Sequence, residues 1–153
     1  MMNENWLWLD MDGSIVDFYG VDGWLEDLRN FNPRPYIEAK PLYNMNTLCA
    51  ILAKLKEHGY HIGIISWLSK VPEPEFDIAV TEAKVEWLDR YGLGGICDEI
   101  LVTPHGVPKH ETCAQYGHGI LVDDEAKNRN DWNIGATIDA NKNILAVLLN
   151  LLA

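Results

Sequence analysis

Cysteine is scarce in this chain, with Cys49, Cys97 and Cys113 the whole set. The count is odd and no CxxC occurs, so no disulfide framework is implied and a reducing compartment is expected. Long apolar runs are also missing. None approaches the length needed to cross a bilayer, so no membrane partner is expected. The opening MMNENW has no basic segment followed by an apolar one, so no secretory leader is expected, and the location is read as cytoplasmic. Basic residues are in deficit: 12 Lys and Arg stand against 23 Asp and Glu, a net charge of −11. Non-specific grip on a nucleic-acid polymer rests on cations that neutralise phosphates, so that class is disfavoured. A small phosphorylated molecule stays open, provided a cation or a local lysine offsets the field.

Apolar residues make up 48% of the 153 positions, enough to build a real core. Residues 1–153 read as one domain, and neither a repeat nor a low-complexity segment is present. Residues 6–10 read as a buried strand. Leu48, Ile51, Leu52 and Leu55 follow helical spacing within 44–58, and Gly59 is a natural stop. YHIGIIS reads as a second strand, ending at Ser66. Phe76, Val80, Ala83, Trp87 and Tyr91 share one face of a helix over 75–91. EILVT at 99–103 is a third strand, and a short helix is expected near 110–116. GILV at 119–122 and ATI at 136–138 complete five strands, with a helix after them. This alternation predicts an α/β fold of Rossmann-like, three-layer α/β/α type, with a parallel sheet of about five strands. The segment 19–41 shows no sustained period and reads as a small cap inserted after the first strand.

Ligands of such sheets sit beyond the carboxyl ends of the strands. Asp10 and Asp12 follow strand one, Ser66 ends strand two, and Asp123 with Asp124 ends strand four. The loop after strand three carries Lys109. Four stretches far apart in sequence are thus expected at one rim. Carboxylates with a lysine suit a hard divalent cation such as magnesium, Mg2+, which shares its coordination with substrate phosphate. A carboxylate can also act as a nucleophile, with a neighbouring acid protonating the leaving oxygen. Lys70 and Lys84 compete with Lys109 for the lysine's place. Lys84 falls on a helix face and is expected to be solvated, so its loss is expected to matter little.

The order D-x-D-G-S, then Ser after an apolar strand, then Lys, then an apolar run ending in DD resembles the haloacid dehalogenase superfamily of phosphohydrolases. DMDGSIVDF, KPLYNMNTLCAILAKLKEHGYHIGIIS and EWLDRYG…EILVTPHGVPKH…GILVDD look like the branch that contains 5′(3′)-deoxyribonucleotidases. The resemblance implies roles. Asp10 is similar to the nucleophile. Asp12 is similar to the general acid and base, with its backbone carbonyl facing magnesium. Ser66, Trp67, Gly13 and Lys109 fall where the transferring phosphate is held, and Lys109 also orients the nucleophile. Asp123 looks like a direct metal ligand, and Asp124 like a direct or water-mediated one. The presence of Asp12 favours phosphatases over dehalogenases. The chain departs from the branch in its short cap and in DDEAKNRNDW, where some members carry Arg-Pro after the paired aspartates.

The resemblance therefore implies a magnesium-dependent phosphomonoesterase acting through an aspartyl-phosphate on nucleoside monophosphates or other small phosphorylated metabolites. Phe18 matches a base-contacting aromatic of the branch, although core packing reads equally well. Trp24 and Tyr36 are the further substrate candidates, and so small a cap predicts an open leaving-group pocket with modest selectivity. A homo-oligomer is compatible with the sequence. The rival reading is a phosphoacceptor signalling domain of the receiver type. Receivers place paired acids first and the phosphoacceptor Asp next, and the order here differs. A zinc site from His105, His110, Cys113 and His118 fits no compact module, and His61 reads as a strand or edge histidine.

Overall fold

The computed structural model describes residues 5–153. The first four residues, on which the leader expectation partly rests, lie outside that range. In chain order the elements are β1 (Asn5–Leu9), β2 (Val16–Asp17), α1 (Trp24–Arg29), α2 (Arg34–Glu38), β3 (Lys40–Pro41), α3 (Met45–Glu57) and β4 (Tyr60–Trp67). There follow α4 (Pro74–Arg90), β5 (Glu99–Thr103), α5 (Lys109–Cys113), β6 (Gly119–Asp123), α6 (Ala126–Asp131), β7 (Thr137–Asp139) and α7 (Ile144–Asn150). Five strands form one parallel sheet in the order β5-β4-β1-β6-β7, as expected.

Strand β1 lies at the centre, hydrogen-bonded on both sides, and that position explains its unbroken apolar run. Alternate side chains enter different layers. Leu7 and Leu9 pack with the buried faces of α3, α4 and α7. Trp6 and Trp8 point the other way, into a smaller cluster with Ile65, Cys113, Leu121 and Trp132. Gly63 makes room there, because a Cβ at that position would collide with the Trp8 ring. Helix α3 begins where Asn44 accepts the Thr47 N–H (3.1 Å) and stops before Gly59, whose φ is +98°.

The segment after β1, which shows no sustained period in the sequence, carries secondary structure. It is folded, with two short helices bracketed by the antiparallel pair β2–β3. Helices of six and five residues are too short for a period to show. Tertiary contacts hold them instead. Trp87 Nε1 donates to the Ala39 carbonyl (2.8 Å), and Arg90 donates to the Ile37 carbonyl (2.8 Å). Phe18, Trp24 and Tyr36 pack together, with ring centroids 4.7 Å apart for Phe18–Tyr36 and 5.6 Å for Phe18–Trp24. Helix α6 is a further element that the sequence did not suggest. Among the described residues, no helix is long and apolar enough to cross a membrane.

Candidate active site

The chain steps from β1 to β4 and β5 on one side, then crosses back to β6 and β7 on the other. The crevice at such a reversal, beyond the strand ends, is where open α/β sheets take ligands. Asp10 directly follows β1, Ser66 is near the end of β4, Lys109 opens α5, and Asp123 ends β6. The structure brings all four together.

Lys109 Nζ donates to Asp10 Oδ1 (2.8 Å) and to Asp123 Oδ2 (2.7 Å). Burial opposes the charge on Lys109, but Asp10 and Asp123 together outweigh it and hold the ammonium above its ordinary pKa. Asp123 is fully buried and well satisfied. Its Oδ1 accepts the Glu125 N–H (2.9 Å), and its Oδ2 also accepts from Asn128 Nδ2 (3.1 Å). Ser14 Oγ donates to Asp10 Oδ2 (2.7 Å) and accepts the Asp124 N–H (3.1 Å), which ties the first acid motif to the last. Ser14 and Asn128 are site residues that the sequence reading missed. Ser14 lay within D-x-D-G-S itself, while Asn128 sits one helical turn past the paired aspartates without any distinguishing pattern.

Lys84 overturns its expected placement. It is buried, not solvated, and its ammonium donates to Ser66 Oγ (2.5 Å), the Trp67 carbonyl (2.8 Å) and Asp12 Oδ2 (3.1 Å). Three donors meet three acceptors, so the group is saturated. Because Ser66 Oγ accepts from Lys84, its single proton is directed elsewhere. Asp12 is held above the usual carboxylate range by burial, with Lys84 opposing and Asp10 adding to the rise.

Asp10, Asp12, Ser66, Trp67, Lys109 and Asp123 line one cavity of about 480 Å³, and Phe18, Trp24 and Tyr36 line it from the inserted segment. Trp67 contributes its ring face, which lies 5.4 Å from Lys109 Nζ, while its indole N–H is engaged by the Val107 carbonyl (2.8 Å). Gly13 and Asp124 are not among the residues that line this cavity. The Gly13 N–H is bonded to the Val16 carbonyl (2.8 Å). What the position requires of glycine is its φ of +84° and its lack of a Cβ, which would lie 2.5 Å from Asp124 Oδ2.

Asp10, Asp123 and Asp124 each offer an oxygen within 4.8 Å of the others. No histidine or cysteine joins a comparable group among the described residues, so the zinc alternative gathers no site. Four carboxylates, those of Asp10, Asp12, Asp123 and Asp124, face two ammonium groups, those of Lys84 and Lys109. The formal excess of two negative charges, and the all-oxygen donor set, fit a divalent hard cation. Without one, burial and the charge of Asp10 push Asp124 up to about 7.

No protein-family model matches this chain, and no curated protein matches it. Solved structures do. A crystal structure of D,D-heptose 1,7-bisphosphate phosphatase from Burkholderia thailandensis is similar with a TM-score of 0.59 at 14% identity, over 98% of this chain and 99% of that one. The same enzyme from B. bronchiseptica, crystallised with magnesium and phosphate, gives a TM-score of 0.57 at 14% identity, over 99% of this chain and 98% of that one. These likenesses show the fold: the chain has the α/β architecture of those phosphatases along its full length.

Proposed function

We propose that this chain is a magnesium-dependent phosphomonoesterase that acts through an aspartyl-phosphate on Asp10. The observation that carries the reading is Lys109 bridging Asp10 and Asp123, with Ser66 and Asp12 lining the same cavity. Asp10 is held by Lys109 on one oxygen and by Ser14 on the other, which fixes its carboxylate for attack on phosphorus. The P–O bond to the leaving group breaks as the Asp10–P bond forms, and Asp12 gives its proton to the leaving oxygen. Burial raises its pKa against the pull of Lys84, which favours uptake of the proton that it then donates. In the second half Asp12 takes a proton from water, whose oxygen attacks phosphorus and frees Asp10 and inorganic phosphate. Ser66 and Lys109 place a hydroxyl proton and a positive charge where the phosphoryl oxygens gather charge. Magnesium held by Asp10, Asp123 and Asp124 supplies charge neutralisation and Lewis-acid contact when bound.

The segment 19–41 serves as the cap, and its aromatic residues, with Trp67 opposite, suit a flat ring in the leaving group. Nucleoside monophosphates are therefore the first substrates to try. The half-buried or buried free thiols of all three cysteines suit a cytoplasmic setting. The test is phosphate release from phenyl phosphate and from a panel of nucleoside monophosphates, with and without magnesium. Asp10→Asn should abolish release and keep the fold, since an amide oxygen is a poor nucleophile. Near-normal turnover by that folded variant would overturn the assignment.

A further inference from the structure

The cavity has a buried end and an open mouth. Asp10, Ser66 and Lys109 stand at the buried end, and the exposed side chains of Arg29 and Lys70 border the mouth. Lys109 at the buried end is ion-paired, as is Lys84 beneath Ser66, whereas neither Arg29 nor Lys70 has a carboxylate partner among the described residues. In a chain of net charge −11, two unpaired cations at one opening are a local reversal of sign. His105 lines the same cavity near Lys70. Its ring lies 4.7 Å from that of Trp67, and burial together with the charge of Lys70 holds its pKa down. Apart from the motif aspartates, Glu125 is the sole acid in the lining. Between the two ends the walls are aromatic. A volume of about 480 Å³ far exceeds what one phosphate fills and matches a ligand of nucleoside size.

A phosphate seated at the buried end leaves the rest of the molecule between aromatic walls, with its far end at the mouth. We infer that the substrate carries a second anionic group, phosphate or carboxylate, on its leaving part, and that Arg29 and Lys70 read it. Arg29 belongs to the inserted segment and Lys70 to the loop after β4, so the second anion ties cap to core. This inference rests on the phosphomonoesterase reading and names its substrate class.

Binding tests it separately from turnover. Calorimetry on Asp10→Asn protein with excess magnesium compares two matched pairs: a nucleoside 5′-monophosphate with its 3′,5′-bisphosphate, and phenyl phosphate with 4-carboxyphenyl phosphate. The first pair reads a second phosphate and the second a carboxylate. In at least one pair the doubly anionic member should bind about tenfold more tightly, the size of one added charge-assisted hydrogen bond. Adding Arg29→Ala or Lys70→Ala should cut that preference to about twofold or less, and raised salt should erode it. Lys54→Ala, an exposed change on α3, controls for net charge and should keep the preference. Equal affinity within both pairs, or a preference that survives both mouth substitutions, overturns the inference. Failure of the wild-type protein to release phosphate from any substrate would instead overturn the phosphatase reading, and the binding comparison would still decide this one.

Discussion

Replacing Lys84 by methionine keeps an unbranched side chain one atom shorter and removes its charge and all three N–H donors. Lys84 is 1% exposed, and its ammonium serves Asp12, Ser66 and the Trp67 carbonyl at once. Taking one partner from a buried ion pair typically costs about 3–5 kcal/mol, because the other stays charged without a counter-ion. Here Asp12 has an escape that lowers the figure. Burial already raises its pKa, so it can take up a proton. A destabilisation of about 2–3 kcal/mol is therefore expected, most of it from the two neutral acceptors that lose a charged donor. For a chain of this length that lowers Tm by about 5–10 °C. Activity should suffer more. Without Lys84 the Ser66 hydroxyl can turn its proton away from the cavity, and Asp12 loses the contact that fixes its carboxylate. The expected fall in kcat on phenyl phosphate is about two to three orders of magnitude, the effect of losing a preorganised donor. Thermal unfolding and steady-state phosphate release, measured side by side, check both figures. A folded Lys84→Met protein with wild-type Tm and kcat would refute the reasoning and restore Lys84 to the solvated role its helix position suggested.

Other perturbations probe the frame around the acids. Gly13→Ala puts a Cβ at positive φ and against Asp124, so it should cost about 1–2 kcal/mol in Tm measurements and weaken magnesium binding; a neutral outcome would mean that the turn relaxes freely. Asn128→Ala removes a donor to Asp123 and should lower magnesium affinity by about tenfold in titrations, as loss of an outer partner of a metal ligand does. The metal-free protein should also lose stability as pH rises from about 4 to about 7. Asp124 is raised from 3.8 to about 7 and Asp123 is raised too, so the folded state binds more protons than the unfolded one across that window, and their contribution is present in acid and lost as they ionise. Magnesium binds the ionised carboxylates, so the Tm gap between magnesium-loaded and metal-free protein should widen from about pH 5 to about pH 8. A constant gap would argue against these acids as the metal's ligands.

Parallel strands buried on both faces announce themselves as apolar runs, which is why the five sheet strands were legible and their ends could be placed within a residue or two. Elements held by polar or distant contacts were not. Helix α6, AKNRND, has no apolar stripe; the one residue it buries is Asn128, turned toward Asp123. The inserted helices rest on Trp87, Arg90 and an Arg34 network that joins Asp22, Asp27 and Glu38. None of these partners is visible in local periodicity. The rim positions were legible for a different reason, since topology alone delivers every strand end to one edge.

Lys84 shows where a signal was present and was outweighed. It lies four residues after Val80 and three before Trp87, inside the stripe that buries Phe76, Val80, Ala83 and Trp87. A lysine on that stripe has two courses: it can snorkel to solvent or meet an acid. The first is the commoner course, and Lys84 follows the second. Asp10 and Asp12, two residues apart, cannot both stay charged in a buried site without separate neutralisation. Lys109 reaches the first and Lys84 the second, each from a different helix on a different face of the sheet. The lysines thus account for two of the four carboxylates, and the remaining two negative charges are those that a divalent cation would balance. The acids at the end of β1 therefore call for two lysines and not one, and loss of Lys84 should raise the Asp12 pKa further.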